Sequence, residues 1–520
     1  MLRIAALPNR GVAAGVCALA LLGAVATGQA ASPAEVTKLT ASDGAAGDQF
    51  ALSVAIDGDT AIAGARFEDS AGADSGAVYV YERDAGGANA WGEVRKRTAS
   101  DADAGDTFGA SVGLSGDTAV AGAPFADTGA TDAGAAYVLR RDAGGVNNWG
   151  EVSTLAASDA ETGDLFGASV AIDRAAAGED TIIVSAMLED SQGQSAGAAY
   201  VFERDAGGAG GWADVRKLVA SDGEPFDLFG SSVAISGDIA VVGAWMADAG
   251  AGAAYVFERD RGGVNNWGEV RKLVASDAAS QDRFGFSVAA AGDTVVVGAY
   301  FEDAGGTQAG AAYIFERDAG GANTWGEVRK LTAADAEAGD LFGRSVAAGE
   351  GWLIAGAMLE ATRGESAGAA YVFERDAGGA DAWGEVKKLL AGETETGDNF
   401  SSGVAISGET AIIGARREDS LGPDAGAAYI FERGFEPPPA TPTPTATPTP
   451  TAPSVTAGDA DCNGTVNAID ATLVLQLVAE LLATLPCPTN GDANESGAVD
   501  AIDATLILQF SAGLLPGLPP

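Results

Sequence analysis

Residues 273–330 read LVASDAASQDRFGFSVAAAGDTVVVGAYFEDAGGTQAGAAYIFERDAGGANTWGEVRK, and near copies of this phrase fill most of the 520-residue chain. A tryptophan before Gly-Glu-Val or a close variant marks the register at Trp91, Trp149, Trp212, Trp267, Trp325 and Trp383, with gaps of 58, 63, 55, 58 and 58 residues. Four runs of the quoted copy, 284–290, 294–299, 311–316 and 325–331, are rich in Val, Ile, Tyr, Phe and Ala and are separated by Gly, Asp and Asn. Such runs between turn residues read as strands, and none is long enough for a helix.

A four-stranded unit of this size cannot bury both faces alone and must stack on its neighbours, so the repeat predicts an all-β fold, a seven-bladed β-propeller. The seventh copy ends at Phe431-Glu432-Arg433 without its tryptophan strand. The missing piece stands at the other end, where EVTKLTASD at 35–43 matches EVRKLVASD at 269–277. The N-terminal strand is therefore predicted to complete the last blade and leave no open sheet edge.

Phe-Gly recurs at Phe108-Gly109, Phe166-Gly167, Phe229-Gly230, Phe284-Gly285 and Phe342-Gly343, followed by Gly-Ala at Gly122-Ala123, Gly243-Ala244 and Gly298-Ala299. Residues 31–433 thereby resemble the FG-GAP repeats of integrin alpha-subunit propellers and many secreted bacterial proteins. In calcium-binding blades of that type the turn between the first two strands is Asp-rich. Here it is only Ser236-Gly237-Asp238 or Ala291-Gly292-Asp293, so the resemblance implies no calcium in that turn.

Residues 1–30 place Arg3 and Arg10 before an apolar run at 11–23 and small residues up to Ala30. This is the pattern of a secretory signal peptide, cleaved after Ala30 or Ala26, and the apolar run is too short to span a bilayer. The expectation is a secreted, extracellular protein without membrane insertion. Its formal net charge of -43 disfavours nucleic acid as a partner.

Histidine is absent, which excludes Ser-His-Asp and Cys-His catalysis and a His-ligated zinc. Paired carboxylates suffice for glycoside hydrolysis. The acids, however, recur with the repeat, at Asp48, Asp106, Asp164, Asp227, Asp282, Asp340 and Asp398, whereas an active site needs an asymmetric arrangement. No catalysis by the propeller is expected.

Residues 434–457 are Pro/Thr-rich, PPPATPTPTATPTPTAP at their centre, which favours an extended polyproline II spacer whose threonines are open to O-glycosylation. Two twelve-residue loops follow. Oxygen-bearing side chains stand at positions 1, 3, 5, 9 and 12 of each: Asp459, Asp461, Asn463, Asn467, Asp470, and Asp492, Asn494, Ser496, Asp500, Asp503. Glycine holds position 6, and the carbonyls of Thr465 and Ala498 are available at position 7, the ligand pattern of an EF-hand-type loop. Two loops in one register point to two calcium ions.

Aspartate at position 12 and a helix only after each loop make residues 458–520 resemble a type I dockerin. The resemblance implies a calcium-folded module that docks onto a cohesin of a scaffold or surface protein, as in cellulosome-like assemblies. Positions 10 and 11 commonly help select the cohesin, here Ala468 and Ile469, Ala501 and Ile502; the alternative is that Ile469 and Ile502 pack inward. Helices are predicted at 471–483 and 504–514, with Ile469, Leu473, Leu477 and Ile502, Leu506, Phe510 at core spacing. Once Cys17 leaves with the signal peptide, Cys462 and Cys487 remain, either as one disulfide or as two free thiols.

The loops from strand two to three and from strand four to the next blade are acidic, and either hold cations or cap turns. The residues after each Gly-Ala position vary: Arg66-Phe67, Pro124-Phe125, Met187-Leu188, Trp245-Met246, Tyr300-Phe301, Met358-Leu359, Arg416-Arg417. Variable residues on the loops of a uniform disc are where a ligand is read, which nominates Phe67, Phe125, Trp245, Tyr300, Phe301, Arg416 and Arg417; packing between blades is the other reading. The functional expectation is a non-catalytic recognition or adhesion protein binding a protein or glycan. The alternatives are a glycoside hydrolase component of a polysaccharide-degrading assembly and a structural spacer.

Overall fold

The computed structural model describes residues 34–174, 180–206, 208, 210–432, 460, 465–479, 481, 485, 493, 498–512, 514 and 515. The chain divides into two compact units, Met1–Pro438 and Pro439–Pro520.

Seven four-stranded antiparallel sheets form the first unit, a seven-bladed β-propeller. Blades 1 to 7 are numbered here by their first strands, which begin at Val54, Ser111, Phe166, Ser232, Phe284, Phe342 and Phe400. In blade 5 the strands are Phe284–Ala291, Thr294–Ala299, Ala311–Glu316 and Gly326–Leu331, within one residue of the sequence reading. The tryptophan does not start the fourth strand, as the sequence suggested. Trp325 turns at φ 47° one residue before it, which drives the indole into the core, where it is buried with Phe284, Tyr313 and Phe315.

First strands touch their neighbours all round the ring and so line the axis. Second strands are buried along their whole length. The ring closes as the sequence predicts: Ala34–Leu39 pairs antiparallel with Ala427–Glu432, from Ala34 opposite Glu432 to Leu39 opposite Ala428.

Glycine decides how closely blades approach. The Gly of a Gly-Ala in one blade lies against the backbone that follows the first-strand Phe of the next: a Cβ on Gly243 or Gly298 would stand 1.9 Å from the carbonyl oxygen of Gly285 or Gly343. Ser232 and Ser287 donate their hydroxyls to those same carbonyls, at 2.9 and 2.8 Å. An arginine after the third strand adds a charged staple between blades at Arg83, Arg141, Arg259, Arg317 and Arg375. Arg83, for example, bonds Glu432 across the closure at 2.7 Å and stacks on Trp91.

In the second unit two helices, Ala468–Val478 and Ala501–Ser511, pack on each other. Both begin three residues earlier than the sequence reading, because the position-9 side chains cap them: Asn467 Oδ1 accepts the Ile469 amide at 2.8 Å, and Asp500 Oδ1 that of Ile502 at 2.7 Å. The core stripe is also shifted. Ala471, Val474, Ala504 and Ile507 are buried, with Leu473, Leu477 and Leu506 at the margin, whereas Ile469 and Ile502 face solvent at 60% and 59% exposure. No helix among the described residues is long and apolar enough to cross a membrane.

Candidate functional site

The acidic loops meet at one end of the blades, as their order in the repeat requires. In blade 1, Lys96 bonds both Asp43, from the preceding blade's loop, and Glu68, each at 2.7 Å, while Tyr79 donates to Asp43 at 2.8 Å. Lys217, Lys272, Lys330, Lys388 and Lys38 repeat this bridge in other blades. Burial pulls the Lys96 pKa down, but the bonds from Asp43 and Glu68 outweigh it and hold the ammonium above its ordinary value. Burial would raise Asp43; Lys96 and Tyr79 hold it below the usual value. These carboxylates therefore tie blades together.

The seven repeat aspartates close turns. Asp48 accepts the Ala45 amide at 2.8 Å, and Asp398 that of Glu395 at 2.7 Å. All seven are buried. Burial raises their pKa values, most for Asp398, pushed up to about 6 with help from Glu418, Asp419 and Glu395.

A different environment lies where the variable residues gather, across blades 4, 5, 6, 7 and 1. Trp245, Phe286, Tyr300 and Phe301 form one chain of rings, with centroids 6.0, 4.5 and 4.3 Å apart in succession. Arg283 stacks on Trp245 at 4.4 Å, and Arg344 on Phe286 at 5.0 Å and Tyr300 at 6.0 Å. Beyond Arg344 stand Arg416, Arg417 and Arg66; burial, then the like charges of Arg344, Arg417 and Arg66, bring the Arg416 pKa down to about 10. Arg66 rests on Phe67 at 4.4 Å, and Arg417 reaches Asp424 at 3.5 Å. Among the described residues, the Arg344 and Arg416 guanidinium groups have no hydrogen-bond or ion-pair partner.

Six of the seven nominated residues thus belong to this hub or touch it. Phe125, 43% exposed, stands on blade 2 outside it. Arg283, Phe286 and Arg344 were not nominated. Their signal was present: the positions just before and two after each Phe also vary, Leu228, Arg283, Leu341 and Ser231, Phe286, Arg344 in blades 4 to 6.

In the second unit Asp459, Asp461, Asn463, Asp492, Asn494 and Ser496, with Cys462 and Cys487, lie outside the described residues. Asp470 and Asp503, at position 12, are fully buried. One oxygen of each accepts the amide of Asn467 or Asp500 at 2.8 Å, and Asp503 also accepts that of Ala493 at 2.9 Å. Outside, three apolar side chains repeat in register: Ile469, Leu475 and Leu481 on one half, Ile502, Leu508 and Leu514 on the other, all exposed.

Comparison of the chain with curated proteins gives no match. Among protein families, residues 457–510 match the dockerin type I domain, a calcium-binding module whose partner is a cohesin. The FG-GAP repeat matches at 33–81, 91–139, 149–202, 212–257, 267–315, 325–373 and 383–431. Each segment runs from the outer strand of one blade through the first three strands of the next, and together the seven cover more than half of the chain, which therefore belongs to the FG-GAP repeat family and carries a C-terminal type I dockerin domain.

Proposed function

We propose that this is a secreted, non-catalytic recognition protein: the propeller binds an extracellular glycan or protein at its arginine and aromatic hub, and the dockerin, loaded with two calcium ions, tethers it to a cohesin. The observation that carries the reading is the contrast between a disc whose lysines bridge loop carboxylates in blade after blade and one hub whose side chains are not repeated. The carboxylates that a glycosidase would need are instead buried in turns or bonded to lysine. On the dockerin, Ile469 with Leu475 and Ile502 with Leu508 offer two equivalent apolar faces, and either can serve as the docking surface. The calcium set comprises the twelve loop residues, and Cys462 and Cys487 form a disulfide.

The test is one panel. Full-length protein is incubated with soluble and insoluble polysaccharides and scored for retention and for released sugar, and with immobilised cohesins in calcium or chelator. Retention without release, and calcium-dependent cohesin capture, are expected. Released oligosaccharide would restore the hydrolase reading. Neither retention nor release, with cohesin capture intact, would leave a spacer.

A further inference from the structure

We infer that the hub is a site for a carboxylated sugar, an isolated uronate carried on an otherwise neutral glycan. This rests on the propeller being a recognition module and names the chemistry that its hub selects. The chain holds 73 acidic and 30 basic side chains, yet the hub gathers Arg66, Arg283, Arg344, Arg416 and Arg417 with one carboxylate, Asp424, at its edge.

Arg66 donates to Gln49 at 3.1 Å, Arg283 to Gln281 at 2.8 Å, and Arg417 pairs with Asp424, which leaves Arg344 and Arg416 as the cations whose donors are free among the described residues. A guanidinium lying over an aromatic ring is held by the π-face, so its in-plane N–H groups still project outward. Arg344 over Phe286 is placed in this way, whereas Arg283, stacked on Trp245, is held by Gln281 and Met246. Neither Arg344 nor Arg416 has a hydrogen-bond or ion-pair partner for its guanidinium among the described residues, and the Arg416 Nε is buried without one. Planar donor forks of this kind match a carboxylate in two-point fashion. Burying several unpaired like charges together is costly, and the depressed Arg416 pKa is a sign of that cost; an oxyanion at the hub relieves it.

The rest of the molecule limits the ligand. A net charge of -43 repels a polyanion, so the negative charge must be confined to one point of the ligand. Beside the arginines, Trp245, Tyr300 and Phe301 are only partly buried and offer flat apolar surface suited to the C–H face of a sugar ring. A peptide rich in Asp and Glu brings dense charge and no such face.

The experiment uses full-length protein and three probes in calorimetric titration: a neutral β-linked oligosaccharide bearing one glucuronate, the same oligosaccharide with that carboxyl reduced to the alcohol, and an Asp/Glu peptide of similar length. The uronate probe is expected to bind, more weakly as salt rises, and carboxyl reduction to cost about tenfold or more in affinity. Arg344→Met and Arg416→Met should produce a similar loss while leaving the Tm unchanged or higher, since each removes an unbalanced cation. The comparison of the two sugars needs no variant. Equal binding of both sugars would overturn the uronate while leaving the recognition reading in place. Tighter binding of the peptide would overturn the sugar in favour of a protein ligand. No binding of the uronate probe sinks the inference, and the polysaccharide panel above then decides the broader reading by itself.

Discussion

At the residue scale, the clearest test is a defect in the repeat. Six tyrosines, Tyr79, Tyr137, Tyr200, Tyr255, Tyr313 and Tyr371, donate to a loop aspartate at 2.6 to 2.8 Å. In blade 7 that aspartate is replaced by Glu393, whose longer side chain extends into solvent to meet Lys38, and the buried Tyr429 hydroxyl is left without a partner. Glu393→Asp should restore the bond and stabilise the protein by about 1 kcal/mol. Tyr429→Phe should be neutral or slightly stabilising, whereas Tyr313→Phe loses the bond to Asp277 and should cost about 1 kcal/mol. Thermal denaturation of the three variants checks this. A second prediction concerns Gly243, where a methyl group would meet the Gly285 carbonyl at 1.9 Å. Gly243→Ala should therefore cost about 3 kcal/mol as blades 4 and 5 are forced apart.

At the element scale, Ala34–Leu39 supplies the outermost strand of blade 7, and Lys38 bonds Glu418 at 2.8 Å. Deleting residues 31–43 removes that strand, exposes the edge of Ala427–Glu432 and takes away Asp43, the partner of Tyr79 and Lys96 in blade 1. The truncated protein should melt well below the parent and aggregate, while deletion of 434–520 should leave the propeller transition in place. Equal thermal stability of the two would refute closure by the N-terminal strand. For the dockerin helices, Asp470 and Asp503 are buried at the start of each helix, the place of the last ligand of an EF-hand-type loop, so chelation should unfold residues 458–520 and calcium restore them. Calorimetric titration of that fragment should show two bound ions and circular dichroism a gain of helix, and Asp470→Ala or Asp503→Ala should each weaken one site and loosen the whole module.

At the scale of the whole molecule, two sets of aspartates oppose each other in acid. Asp43, Asp159, Asp222, Asp277 and Asp335 are held below the ordinary value. Their contribution is complete above the unfolded pKa and is lost as pH falls through the lower folded one. The buried turn aspartates are raised, Asp398 to about 6; the folded state takes up these protons first, so their effect is to raise stability as pH falls from the folded toward the unfolded value. Relief of the net charge acts in the same direction. The propeller Tm should therefore rise from neutral pH to about pH 5 and fall again below about pH 4, as the lysine-bonded set protonates. Asp398→Asn should flatten the rise between about pH 7 and 5, which differential scanning calorimetry across pH would detect.

Blade number, strand bounds and ring closure were legible in the sequence because each is local: the repeat fixes alternation and turns seven times, and residues 35–43 carry the missing strand in plain form. The dockerin domain was legible for the same reason, since its twelve-residue pattern, running into Ala-Ile-Asp-Ala-Thr, stands twice within short stretches of chain. The start of each helix was also local, yet the reading misplaced it by assigning Asn467 and Asp500 to the loops alone and not also to helix caps. What only the tertiary structure decided is which charges neutralise which. Lys96 chooses Asp43 from the preceding blade, and Trp245, Arg283, Phe286, Arg344, Arg416 and Arg66 converge from five blades, although more than a hundred residues separate many of them in the chain. Residues that vary from repeat to repeat carry no periodic signal, and only closure of the ring brings them to a common axis.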